Sequence, residues 1–156
     1  MTVSNDRNVL FIVNEAYFFI THRIPVARAL VQAGCKVHVA VPADHVWAPD
    51  DFTIDEIEKA GFHLYTIPLS RRGKNIFQDA MTFFSLYCLL RKLRPDVVHL
   101  FTIKPVIYGG LAARLAGVNA TISTITGLGH MFVATGIVDS ILRRVIVFLY
   151  RLATGH

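Results

Sequence analysis

Three strand ends concentrate the residues able to do chemistry. After the apolar run Val9 to Val13 come Asn14 and Glu15, an amide and a carboxylate that can hydrogen-bond a sugar hydroxyl, with Glu15 also able to move a proton. The plainer role for Asn14 is to close the turn. His22 and Arg23 follow, at or near the start of the first expected helix. An imidazole there can bind a hydroxyl or a phosphate, helped by the positive end of the helix, and its ordinary pKa of about 6.5 suits proton transfer. A lone histidine serves as often in packing. After the strand expected over Val97 to Leu100 stand Thr102 and Lys104, just ahead of Pro105 and a helix start. Lys104 meets a diphosphate there or lies solvated on the rim. His99, inside that apolar strand, reads first as a buried, hydrogen-bonded core histidine and second as a ligand-binding group. The third end is Thr126-Gly127-Leu128-Gly129-His130, after Ala120 to Ile125. Gly127 and Gly129 let backbone N–H groups approach an anion closely, although any strand-to-loop corner can use such a pair.

Several chemistries are excluded by what is missing. The first turn has no Gly-x-Gly-x-x-Gly, so nicotinamide dinucleotide binding is not expected. The 7 histidines show no HExxH and no paired ligand spacing, so no metal is expected, and no other cofactor is implied. No Gly-x-Ser-x-Gly nucleophile elbow is present. Cys35 and Cys88 form no CxxC and no disulfide framework; both lie in apolar surroundings and read as buried thiols. The basic clusters Arg71-Arg72-Gly73-Lys74 and Arg91-Lys92-Leu93-Arg94 lack interleaved aromatics, which leaves nucleic acid a minor alternative.

The elements that must position these groups alternate along the chain. Strands are expected over Val9 to Val13, Val37 to Val41, Phe62 to Ile67, Val97 to Leu100 and Ala120 to Ile125. Between them, Ile20, Ile24, Ala27 and Val31 recur at helical spacing, with Pro25 in the first turn and Gly34 at the end. A short helix over Ile54 to Ala60 has Thr53 as its candidate cap. A long one runs from about Ile76 to Leu93, stopped by Arg94-Pro95. The helix from Val106 to Ala116 places Ile107, Leu111 and Leu115 on one face and stops at Gly117. A last helix, about Ile137 to Ala153, sets Ile137, Ile141, Val145 and Leu149 along one side and Arg143, Arg144 and Arg151 largely elsewhere. It either packs on the sheet or lies on anionic lipid. This alternation predicts an α/β fold with a doubly wound, parallel, Rossmann-like sheet.

With 156 residues, one domain spanning 1–156 is expected. Hydrophobic residues make up 53% and charged residues 17%, as a deeply buried sheet or an uncovered face would require. The net charge of +5 favours anionic partners, a lipid surface or a pyrophosphate among them. No secretory signal and no run of about 18 apolar residues is present. The expected location is therefore the cytoplasm, as a peripheral protein at the inner face of a membrane.

Three segments carry a family resemblance: Phe18-Phe19-Ile20-Thr21-His22-Arg23-Ile24-Pro25; Thr102-Ile103-Lys104-Pro105 with Tyr108-Gly109-Gly110-Leu111-Ala112-Ala113-Arg114; and Thr126-Gly127-Leu128-Gly129. Together the chain resembles the amino-terminal half of a family 4 glycosyltransferase, of the branch that adds sugars to lipid-linked precursors of capsule, O-antigen or exopolysaccharide. The resemblance implies one half of a two-domain GT-B fold and retention of anomeric configuration without a metal. It implies that this half holds the acceptor and touches the membrane. The other half would hold the nucleotide sugar through a Glu-x7-Glu motif. No Glu follows the fifth strand, so the donor-binding half is expected to be absent and this domain to be cut short. Asn14, Glu15, His22, Arg23, His99, Thr102, Lys104, Thr126, Gly127 and Gly129 would line or border the acceptor cleft. Three readings stay open: an acceptor-side half whose donor half sits on another chain, a non-catalytic scaffold subunit at the membrane, and an inactive truncated product. If no further strand follows, the fifth strand becomes an apolar sheet edge able to pair with other chains.

Overall fold

The structure is a computed structural model that describes residues 7–43, 52–69 and 76–124. Five strands form a single parallel sheet: β1 (Asn8–Ile12), β2 (Lys36–Pro42), β3 (His63–Ile67), β4 (Val97–Phe101) and β5 (Ala120–Thr124). Their order is β3-β2-β1-β4-β5, so β1 is central and the chain reverses direction across the sheet between β1 and β4. The register sets Phe11 opposite His99 and Leu100 opposite Ile12. Each expected strand is present, with ends shifted by a residue or so; Ile125 lies outside the described residues.

Both faces of β1 are buried, which is why its sequence is apolar without alternation. Val9, Phe11 and Val13 point into one core with Phe19, Ala27 and Ile57. These come from helices α1 (Ala16–His22), α2 (Ile24–Gln32) and α3 (Glu56–Lys59). Leu10 and Ile12 point into a second core with Leu86, Leu90, Val106 and Ala113. That layer is made by α4 (Ile76–Leu93), a π-helical turn (Pro105–Gly109) and α5 (Gly110–Ala116), which ends on Gly117 at φ 74°.

Four expectations change. The single first helix is two. Pro25 has no N–H to give the Thr21 carbonyl and its ring crowds that turn, so the chain breaks at Arg23, with φ −115° and ψ −15°. His22 therefore ends α1 instead of beginning a helix, and α1 starts much earlier, directly after Glu15. Thr53 is not a side-chain cap: Asp55 is the first flanking residue of α3 and no side chain caps that end. Ile107, Leu111 and Leu115 do not share a buried stripe. The π turn inserts an extra residue and rotates α5 by roughly 100° relative to an unbroken helix. Ile107 is buried, Leu111 half-buried and Leu115 65% exposed, while the small residues Gly109, Gly110, Ala112 and Ala113 face inward. Finally, Cys35 is buried as expected but Cys88 is exposed. The last helix and the basic loop at 70–75 lie outside the described residues.

Candidate acceptor cleft at the carboxyl ends of β1 and β4

Where strand order reverses, the loops leaving adjacent strands part and leave a crevice at the carboxyl edge, the usual ligand position in such sheets. Here that point is β1 against β4. A cleft of about 280 Å³ opens there, lined by Val13, Asn14, Phe18, His22, Arg23, Phe101 and Thr102. Asn14 and Val13 come from the turn after β1, Phe101 and Thr102 from the end of β4, Phe18 and His22 from α1, and Arg23 from the corner between α1 and α2.

The floor is aromatic. Phe11 and Phe101 stack at 5.9 Å between centroids with planes 7° apart. The Arg23 guanidinium lies over the Phe101 ring, 4.5 Å from its centroid. Such a cation–π contact holds a cation in place without neutralising it, as a carboxylate would. Beneath, His99 packs 4.0 Å from Phe101 and 5.4 Å from Phe11, centroid to centroid, and its Nε2 is 2.8 Å from Thr124 Oγ1. Burial first, and the Arg23 charge second, lower its pKa from 6.5 to about 4. His99 is thus neutral at neutral pH and hydrogen-bonded behind Phe101; half-buried, it does not itself line the cleft.

His22 is fixed differently. Its Nδ1 lies 2.6 Å from Thr21 Oγ1, and that hydroxyl already donates to the Tyr17 carbonyl at 2.9 Å. The hydroxyl can then only accept from His22, so Nδ1 carries the proton and Nε2 of the neutral ring is the acceptor. Thr102 sits at φ 71°, a rare and strained conformation for a β-branched residue. Its N–H donates to the Thr124 carbonyl at 3.1 Å and its own carbonyl accepts from Val106 N–H, which starts the next helix. Among the described residues, Thr102 Oγ1 and Asn14 Oδ1 are buried without a hydrogen-bond partner.

Of the residues expected from sequence, Asn14, His22, Arg23 and Thr102 come together here. Glu15 does not line the cleft. It is wholly buried, and its carbonyl accepts the Phe19 N–H at 3.3 Å to open α1. Lys104 turns to the other layer, where Nζ pairs with Asp79 Oδ1 of α4 at 3.0 Å. The half-buried Tyr108 phenol is pushed up to about 12, by desolvation foremost and then by Asp79, which accepts its hydrogen bond and disfavours the phenolate. Thr126, Gly127 and Gly129 lie outside the described residues. Phe18 and Phe101 were missed by sequence reasoning; strand parity from His99 reaches Phe101 once β4 is extended by one residue. Among the described residues no three His, Cys, Asp or Glu side chains gather as a metal site.

The two low histidines make the fold acid-sensitive. His38, held in β2 against His63 with rings 4.9 Å apart, is also lowered to about 4, by burial first and then by the charges of His63 and Lys36. A folded-state value below the ordinary 6.5 means that unfolding takes up a proton. The contribution is whole above about pH 6.5 and is lost as pH falls toward about 4. Each histidine then subtracts at most roughly 2 kcal/mol at about pH 5. We expect a lower urea midpoint at pH 5 than at pH 7, and a flatter pH profile in His38→Gln and His99→Gln. An unchanged midpoint would refute this.

The family now emerges from comparison with known proteins. Residues 8–154 match the family described as glycosyl transferase 4-like. The chain belongs to this family. Over 131 residues it is 28% identical to the N,N'-diacetylbacillosaminyl-diphospho-undecaprenol alpha-1,3-N-acetylgalactosaminyltransferase of Campylobacter jejuni, covering 84% of this chain and 33% of that protein. Over 63 residues it is 38% identical to the UDP-Gal:alpha-D-GlcNAc-diphosphoundecaprenol alpha-1,3-galactosyltransferase of Escherichia coli, covering 40% of this chain and 16% of that protein. The glycosyl transferase 4-like chain thus spans a third or less of these curated relatives. Among solved structures, Acinetobacter baumannii MurG superposes with TM-score 0.55 and 22% identity over 89% of this chain and 39% of its own. A UDP-N-acetylglucosamine 2-epimerase superposes with TM-score 0.64 and 14% identity over 96% and 39%. These likenesses show the fold: one Rossmann-like half of a GT-B architecture. No helix among the described residues is long and apolar enough to cross a membrane.

Proposed function

We propose that this chain is the acceptor-side half of a retaining glycosyltransferase. It would bind a sugar linked through a diphosphate to a polyprenol, while the nucleotide sugar is bound by a second GT-B half. The observation that carries this reading is the cleft at the β1–β4 switch point, with a cation held over an aromatic ring beside unsatisfied polar atoms. Arg23 meets a phosphate oxygen. Asn14 Oδ1 and Thr102 Oγ1 accept or share hydrogen bonds with sugar hydroxyls, and Nε2 of His22 accepts another. Phe18 and Phe101 offer apolar surface to the sugar ring or the first lipid carbons. Family membership supports the reaction class, and both curated relatives are named for diphospho-undecaprenol acceptors. The net charge of +5 suits work at an anionic membrane surface, at the cytoplasmic side.

Calorimetric titration of the 156-residue chain tests the assignment. A short-chain polyprenyl-diphosphate sugar is expected to bind, and UDP- and GDP-sugars are expected not to. Micromolar binding of any nucleotide sugar with no response to the acceptor analogue would overturn the acceptor-side reading.

A further inference from the structure

Thr21 is not among the residues that line the cleft, yet it decides what His22 offers there. Both stand exposed in the last turn of α1. Thr21 Oγ1 donates back to the Tyr17 carbonyl, 2.9 Å away, the usual bond of a helical threonine to the preceding turn. Tyr17 is itself anchored, with its ring edge-on to the buried Phe52 at 5.5 Å. The His22 ring is held from a second side by Phe18, four residues earlier, at 5.9 Å and 90° between planes. A hydroxyl has one proton and two lone pairs. With the proton given to Tyr17, only a lone pair is left for His22 Nδ1 at 2.6 Å, so Nδ1 must carry the ring proton. The reverse arrangement, with the hydroxyl donating to a bare Nδ1, makes one bond in place of two and is disfavoured by the worth of a hydrogen bond. A neutral histidine side chain in water prefers its proton on Nε2. Thr21 therefore inverts the ordinary tautomer, as a partner on one ring nitrogen can.

The inversion matters for recognition. Nε2 of the neutral ring then presents a lone pair and no proton. It accepts from a hydroxyl or an amide N–H, and it repels a phosphate oxygen, which brings lone pairs of its own. Arg23, the next residue, is the opposite: its guanidinium only donates. Two consecutive cleft residues thus take different parts of one ligand. We propose that Thr21 is a positioning residue for acceptor recognition. By holding the proton on His22 Nδ1 it makes the His22 corner select a sugar hydroxyl and leaves the diphosphate to Arg23. This deepens the acceptor reading and rests on it for the ligand, but the tautomer is measured without any ligand, so each can fail alone.

The test uses Thr21→Val, which keeps the branched shape and removes the hydroxyl, with Thr21→Ser as the rescue. The ring nitrogen signals of His22 are read by NMR at about pH 8, where an imidazole is neutral. The unaltered chain and Thr21→Ser should show the proton on Nδ1, and Thr21→Val should show it mainly on Nε2. Calorimetry then compares a short-chain polyprenyl-diphosphate sugar with the same polyprenyl diphosphate lacking the sugar. Thr21→Val should bind the first roughly fivefold more weakly, as for one lost hydrogen bond, and the second as well as before or better. Thr21→Ser should match the unaltered chain with both. A corner that has merely loosened would lose affinity for both probes alike, and circular dichroism checks that the fold is kept. An unchanged His22 tautomer in Thr21→Val would overturn the proposal, as would an equal loss for the two probes. Binding of neither probe by the unaltered chain, with a tautomer that still responds to Thr21, would instead sink the acceptor reading and leave the control of His22 by Thr21 standing.

Discussion

Gly109→Leu is expected to remove about 3 kcal/mol of folding stability, the upper end of what overpacking does. A Cβ at Gly109 would stand 2.6 Å from Leu100 Cδ2 and 3.4 Å from Ile12 Cδ1. Both partners are fully buried, so neither has room to retreat. The missing side chain is what lets the π turn lie directly on β1 and β4 and places Thr102 at the cleft. Gly109→Ala should cost less, about 1 kcal/mol, because better helix propensity offsets part of the clash. Leu100→Ala should cost about 2–5 kcal/mol by leaving a cavity. The double variant should lose less than the sum, since the new methyl occupies space that Leu100 vacates. Urea unfolding of the four proteins decides it. Additive losses, or a stabilising Gly109→Ala, would show that the helix and strand are not in contact through these atoms.

Arg23→Ala is expected to weaken binding of a polyprenyl-diphosphate sugar by roughly 10- to 100-fold, the range for losing a hydrogen bond to a charged group. Arg23→Lys should restore little of it. An ammonium does not lie flat on Phe101 and offers no fork to two phosphate oxygens. A second readout is independent of ligand: with the Arg23 charge gone, the His99 pKa should rise, because that charge is one of the two causes holding it near 4. Titration of the His99 ring by NMR measures this. Unchanged affinity together with an unchanged His99 titration would mean that Arg23 sits elsewhere in solution.

The sheet was legible because buried parallel strands write themselves as apolar runs, as Val9 to Val13 and Val37 to Val41 do. Helix ends marked by glycine or proline were legible too: Gly117 and the stop before Pro95. Of the candidate site, Asn14, His22, Arg23 and Thr102 were found because ligand positions follow strand ends in this topology. What stayed hidden depends on local breaks in periodicity. Pro25 fits either the first turn of one helix or the junction of two, and spacing alone did not show that α1 would begin early enough for Pro25 to break the turn at Arg23, with Phe19 and Ala27 on the same core. The π turn leaves no hydrophobic signature, so the expected stripe through Leu115 was off by one residue, roughly 100° around the helix. Lys104 was ambiguous because its partner, Asp79, is on a helix 25 residues earlier in the chain.

The interruption at Arg23 has an evolutionary consequence. Phe19 and Ala27, one turn to either side, are fully buried and fasten the two helices to the sheet. Between them Thr21, His22, Pro25 and Val26 are exposed. Substitution at this corner should therefore leave folding nearly untouched while it changes what the cleft recognises. On the proposed acceptor-side reading, acceptor preference and fold stability would then be under nearly separate selection, so that a handful of surface changes at this corner would alter the sugar accepted on an unaltered core.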